Sequence, residues 1–392
     1  MSAIKKILSS LTLEQILRCF IVAVSIWYVF LCLAAYVYQR PMWNDEICVM
    51  RSVTTFNAKQ MFNEPLSSLQ VFPRVYLFFI QQFSKLFDFH LLALRFFPFV
   101  CMLSAFFVWI YLAKKQIASL MGLLTFVLCW AASVPLIYYA AELKQYSMDV
   151  LVSGICLLCL YRGFNLVWYA LPLVLFISYP SLFWMPLLGW NLIQYGRSTG
   201  KWHPLAIFTS IGLAVAGTVY CIDIRNTDKI AQYWQDYFIS FSSVGEFFKT
   251  LGEGINNLIS RWFAEKPKWI RAASRIFIGL GFLQMLISFF TRFKKEGFRF
   301  TSVHSVAFVV FIEMLILAVL KKYPFTVPRT SLYFAPVLLC LTTVALMNIK
   351  VKWPVVYRIL HSVFLVYLLY VSVGIARCIL SGDLGAQSVL WQ

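Results

Sequence analysis

Residues 16–46 read ILRCFIVAVSIWYVFLCLAAYVYQRPMWNDE. The apolar run from about 16 to 38 has roughly the 20 residues a helix needs to cross a hydrocarbon layer of about 30 Å. Gln39-Arg40-Pro41 closes it, and Asp45 and Glu46 follow at once. A solvated helix end is the ordinary reason for two carboxylates there. This pair has companions, however: Glu142–Asp149 and Tyr323–Arg329 also stand at the ends of apolar runs.

Composition extends that reading to the whole chain. Of 392 residues 61% are hydrophobic and 13% charged, more apolar surface than a water-soluble core of this size can hide. Similar runs recur throughout and are continuous rather than alternating, which predicts an all-α polytopic membrane protein and disfavours a β-barrel. The net charge of +18 calls for no nucleic-acid partner, because Lys and Arg at span ends facing anionic membrane lipids account for it. Most of the ten cysteines fall inside spans; Cys156 and Cys159 form a C-x-x-C within an apolar helix, which suits packing. Lys5 and Lys6 precede the first run and no small-residue cleavage site follows it, so it reads as a retained helix.

With Lys5, Lys6 and Arg18 in the cytoplasm, span 1 (about 16–38) delivers Asp45 and Glu46 outside. Residues 39–90 then form an outer segment, punctuated by Pro41, Pro65 and Pro73, whose second half, Phe72–Phe89, suits a helix in the interface plane. A short span at that point is the competing reading and would invert everything after it. Positive-inside favours the first: spans at about 91–112, 116–138, 149–161, 165–179, 181–195, 204–222, 270–290, 303–320, 330–347 and 354–376 place Lys114-Lys115, Arg162, Arg197, Lys201, Arg292–Arg299, Lys350 and Lys352 inside. Nearly all carboxylates then lie outside, including those of a second outer loop, 223–268 (Asp223, Asp228, Asp236, Glu246, Glu253 and Glu265, beside Arg225 and Arg261). The expectation is one integral membrane domain of about eleven transmembrane helices, with in-plane helices in the outer loops. It divides into a module at 1–222, the loop at 223–268 and C-terminal helices at 269–392.

Three outer constellations result. Asp45 and Glu46 open the first loop. Glu142, Lys144, Tyr146 and Asp149 join spans 3 and 4, and a helix there would set Glu142, Tyr146 and Asp149 on one face. Lys321, Lys322, Tyr323 and Arg329 join spans 9 and 10. Carboxylates beside a basic, aromatic loop at one membrane face suit a phosphate-bearing lipid substrate: guanidinium geometry matches phosphate, and an acceptor hydroxyl or amine needs a carboxylate base. Glu313 stands alone in span 9 and reads as a polar helix contact; His203, His304 and His361 lie near inner ends.

These motifs resemble the GT-C superfamily of polyprenyl-phosphate-sugar glycosyltransferases, in the branch of protein O-mannosyltransferases and lipid A aminoarabinose transferases. Asp45-Glu46 stands where that family has its Asp-Glu pair after span 1. Phe72-Pro73-Arg74-Val75-Tyr76 echoes its Pro-Pro-Leu-Tyr-Tyr, and Arg95 matches its Arg at the start of span 2. Glu142-Leu143-Lys144-Gln145-Tyr146-Ser147-Met148-Asp149 matches Glu-Ala-Arg-x-Tyr-x-x-Asp, and Tyr323–Tyr333 a late Tyr-Pro-Phe followed by Arg. The likeness covers the first 150 residues and 321–336; between 160 and 320 it is one of hydropathy. Lys144 replaces the usual Arg and Arg74 the second Pro.

The resemblance implies an inverting transfer from a polyprenyl-phosphate sugar to a glycan, lipid or protein acceptor, at the periplasmic face of a bacterial inner membrane. It casts Asp45 as the base, with Glu46 as partner or second candidate. Lys144, Lys322 and Arg329, with Lys321, Tyr323, Tyr146 and Arg95 beside them, would bind the donor. Glu142 and Asp149 would orient the sugar or hold a divalent cation; metal use varies across the superfamily, so no cofactor is certain and the cation stays an open alternative. The rival readings are a flippase or transporter of a lipid-linked saccharide, which would need paired charges at mid-membrane, and a surface-polysaccharide polymerase.

Overall fold

The computed structural model describes residues 12–224, 235–263, 268–296, 302–325 and 327–382. Lys5, Lys6, Arg225, Asp228, Glu265 and Arg299 lie outside the described residues, as do the side chains of Asp236, Arg292, Lys294 and Lys295. Among the described residues all regular structure is helical, as continuous apolar runs require when backbone groups have no water to bond.

Helix α1, Leu13–Tyr38, starts at a capping box between Thr12 and Gln15. It ends where Gln39 takes a left-handed conformation (φ 51°) and Pro41 forbids continuation. The 39–90 segment folds into α2 (Asn44–Thr55), α3 (Ala58–Asn63) and α4 (Arg74–Lys85). Helix α4 buries Tyr76, Leu77, Ile80 and Gln81 and exposes Phe79. At 12 residues, about 18 Å, it is too short to cross a bilayer.

Among the described residues six helices are long and apolar enough to span: α1; α5 (Leu91–Gln116); α10 (His203–Val219, with its π-helical extension); α12 (Lys268–Glu296); α14 (Ala335–Lys352); and α15 (Pro354–Leu380). The remaining expected spans take other forms. The third is broken into α6 (Leu120–Ala131) and α7 (Val134–Tyr138), bent by 63°, because Pro135 lacks an N–H and its ring displaces the carbonyl one turn back. The fourth is α8 (Tyr146–Arg162) and the ninth α13 (Val303–Val319), each 17 residues. The fifth, expected at 165–179, contains no α-helix: Pro172 and Pro180 confine Leu166–Trp184 to successive 3-10 turns. The sixth begins after them as α9, Met185–Thr199, 15 residues long.

Helix α14 is the central post, buried at every position from Ala335 to Leu346 except the half-buried Val344. Helix α12 crosses it backbone to backbone at Gly281, where a Cβ would lie 2.6 Å from the Thr342 nitrogen. Helices α5 and α8 pair closely, Gly154 giving room for Trp109, whose Nε1 donates to the Val150 carbonyl at 3.1 Å. In the second loop the amphipathic α11 (Val244–Ser260) rests on Phe325 at Gly254.

Candidate active site

The three stretches expected on one face meet. Asp45 and Glu46 lie in the first turn of α2, where the helix dipole favours negative charge. Consecutive helix positions point about 100° apart, and the two carboxylates accordingly have different surroundings.

Glu46 is fully buried and saturated with donors. Arg95 grips it with both arms (Nε to Oε1, 3.0 Å; Nη2 to Oε2, 2.9 Å), Arg40 Nη1 donates to Oε2 at 2.8 Å, and the Leu143 amide to Oε1 at 2.8 Å. Arg95 also donates to the Arg40 carbonyl at 2.9 Å, and Arg40 lies 4.2 Å over the Tyr138 ring. This network ties the start of α2, the start of α5 and the loop before α8 into one block.

Asp45 keeps 25% of its side chain exposed. Its Oδ2 faces Arg329 Nη1 at 3.3 Å and Lys144 Nζ at 3.6 Å, and its Oδ1 accepts from Gln70 Nε2 at 3.4 Å. Arg329 stands 5.4 Å over the Trp43 ring. Lys144 is buried, and that burial lowers the affinity of its amine for a proton; nearby Arg329 lowers it further, while Asp45 and Glu142 work against both.

Glu142 departs from the expected geometry. It precedes α8 in extended conformation (φ −121°, ψ 134°), the helix beginning only at Tyr146, so Glu142, Tyr146 and Asp149 do not share a helical face. Glu46 claims the Leu143 amide and the Lys144 amide bonds back to the Glu142 carbonyl at 2.7 Å, which turns the chain here. Glu142 instead accepts from Trp43 Nε1 at 3.2 Å and pairs with Arg40 at 3.5 Å. Burial, and next the Glu46 carboxylate, push it up to about 7 against the pull of Arg40 and Lys144. Tyr146 packs edge-on against Tyr139, 4.8 Å between centroids.

Other expected residues stand apart. Asp149 accepts from Ser178 Oγ at 2.7 Å, a partner supplied by the 3-10 run. The Tyr323 hydroxyl bonds Ser331 at 2.9 Å and its ring packs on Phe183. Lys321 and Lys322 are exposed at the end of α13. Glu313, expected to make a polar helix contact, leaves Oε2 without a hydrogen-bond partner among the described residues. With Glu142 engaged by Trp43 and Arg40 and Asp149 by Ser178, the two carboxylates face different partners. Among the described residues no group of three or more His, Cys, Asp or Glu side chains comes together.

Arg40, Trp43 and Gln70 complete the cluster without having been singled out. Arg40 and Trp43 sit in the quoted stretch; Gln70 carries no sequence signal at all. Arg74, which replaces a family proline, is buried: it pairs with Asp223 at the end of α10 and caps the Glu64 carbonyl at 2.9 Å. Tyr179 hydrogen-bonds the same Asp223 and the Phe72 carbonyl, so this trio pins the loop that carries Gln70.

Among solved structures the chain resembles ArnT from Cupriavidus metallidurans, determined bound to undecaprenyl phosphate. The TM-score is 0.53 over 95% of this chain and 72% of that one, at 14% identity. At that identity the likeness is one of fold, and the fold is GT-C-like. No family model and no curated protein matches the sequence.

Proposed function

We propose that the protein is an inverting glycosyltransferase that moves a sugar from a polyprenyl-phosphate donor to a glycan, lipid or protein acceptor, with Asp45 as the base. One observation carries the reading: of the three clustered carboxylates, Glu46 and Glu142 are fully buried and committed to internal donors, whereas Asp45 stays partly exposed between two cations. That suits a phosphate binding beside a base. The fold shared with a protein crystallised with undecaprenyl phosphate supports a donor of that class.

In the proposed step Asp45 takes the proton from the acceptor hydroxyl or amine, and the freed lone pair attacks the anomeric carbon. The bond from that carbon to the phosphate oxygen breaks on the opposite face, its electrons leaving with the phosphate. Arg329 and Lys144 neutralise the departing charge, Arg329 through its planar fork and Lys144 as a point charge. As the phosphate draws these cations off Oδ2, Asp45 is released from its ion pairs and its carboxylate is free to accept the proton. The Lys/Arg bias of the opposite loops supports an outer, periplasmic position for this face.

The test compares Asp45→Asn with the parent for restoring the lipid and glycan profile of a deletion strain, with binding of undecaprenyl phosphate measured on the purified protein. Loss of a general base costs about 10²–10⁴ in rate, so the variant should bind the lipid and fail to restore the profile. Restoration at parental level removes Asp45 from the chemistry.

A further inference from the structure

Gln70 lies outside every motif above, in the stretch between α3 and α4, yet its amide is held between two charged groups. Oε1 accepts from Lys144 Nζ at 2.6 Å and Nε2 donates to Asp45 Oδ1 at 3.4 Å. The direction follows from chemistry: an ammonium has no lone pair, so the carbonyl must face it and the NH₂ is left for the carboxylate. The stretch is itself anchored. The Ser67 amide donates to Ser52 Oγ at 2.9 Å, the Gln70 amide to the Ser67 carbonyl at 3.3 Å, and Arg74 holds the Glu64 carbonyl.

Two distances decide what this does. An ammonium–carboxylate hydrogen bond settles at about 2.7–2.9 Å. Lys144 stands 3.6 Å from Asp45 but 2.6 Å from Gln70, so the amide holds the ammonium off the carboxylate. The two oxygens of Asp45 are therefore unlike: Oδ2 lies between Arg329 and Lys144, while Oδ1 meets the neutral amide.

Resting on the reading of Asp45 as the base, we propose that Gln70 is a positioning residue. It draws Lys144 away from Asp45 and keeps Oδ1 turned to the acceptor side, so that one oxygen takes the proton while the other answers to the phosphate-binding cations. The charged and titratable groups around Asp45 are Lys144 from the loop before α8 and Arg329 from the 3-10 segment before α14. Glu46 on α2, Glu142 and Tyr146 stand behind them.

The experiment reads the titration of the Asp45 carboxyl directly, as the infrared difference between each protein and its Asp45→Asn counterpart, in detergent with and without undecaprenyl phosphate. In Gln70→Glu a second carboxylate faces Oδ1, and the Asp45 midpoint should rise by about one pH unit. In Gln70→Ala nothing holds Lys144 back; the ammonium closes on Asp45 and the midpoint should fall by a comparable amount. Undecaprenyl phosphate, by drawing Lys144 away, should shrink the second shift. A structural role alone predicts lower thermal stability with the midpoint unmoved. Shifts that are absent in both variants, or that share one sign, overturn the proposal. Failure of the base reading shows separately, as an Asp45→Asn protein that still restores the deletion strain.

Discussion

Replacing Glu46 by glutamine keeps the side-chain shape and exchanges one oxygen for an NH₂. The remaining oxygen can still accept from the Leu143 amide and Arg95 Nε, 2.8 and 3.0 Å away in the parent. The NH₂ must then face Arg40 Nη1 and Arg95 Nη2, which donate to Oε2 at 2.8 and 2.9 Å. Donors would oppose donors, and two hydrogen bonds to a charged group would be lost, each worth about 1.5–3 kcal/mol. Arg95 is fully buried and Arg40 nearly so, and neither could recover the loss in water. The sum agrees with the roughly 3–5 kcal/mol expected when one partner of a buried ion pair is removed. Thermal unfolding in detergent, followed by tryptophan fluorescence, should show Glu46→Gln melting several degrees below the parent, while Asp45→Asn melts close to it. A double-variant cycle with Arg95→Met should be strongly non-additive, since the first change already strands the guanidinium. A Glu46→Gln protein with parental Tm and no transfer would refute this reasoning and move Glu46 from the scaffold into the chemistry.

Glu142 gives a pH prediction with a definite sign. Its folded-state value of about 7 lies above the ordinary glutamate value of 4.5, so the folded protein holds a proton that the unfolded chain has released between those limits. The stabilising contribution is complete below about 4.5 and is lost as pH rises through about 7. Tm measured from pH 5 to pH 8 should thus fall less steeply in Glu142→Gln than in the parent, and equal slopes would contradict the assignment. In the late loop the exposed pair Lys321 and Lys322 should matter less than buried Arg329. Lys321→Ala with Lys322→Ala should weaken undecaprenyl phosphate binding by under about threefold, and Arg329→Ala by about tenfold or more. Arg329→Lys, which keeps charge without the fork, should fall between them; equal losses throughout would place the phosphate elsewhere.

Much of the fold could be read one segment at a time. Each apolar run carries its own length, Pro41 and Gln39 mark where α1 must stop, and adjacent helix positions forced Asp45 and Glu46 to part company. Pro172, inside the stretch expected as a span at 165–179, disfavours an α-helix there, and hydropathy is blind to that backbone constraint. The extended Glu142 was hidden for another reason: the pull that turns it comes from Glu46, 97 residues away from the amide it captures.

What the sequence by itself determined was helical membrane architecture and the set of charged residues left at span ends. In hydrocarbon every backbone N–H and C=O must be satisfied within its own segment, so the rule is local and shows in composition and period. The pairing of those charges was decided by tertiary structure alone. Asp45 meets Arg329 only because the 3-10 segment before α14 reaches the start of α2, and Gln70 meets Lys144 across 74 residues of chain. A hydrogen bond acts over about 3 Å, and no spacing along the sequence can report a distance that helix packing sets.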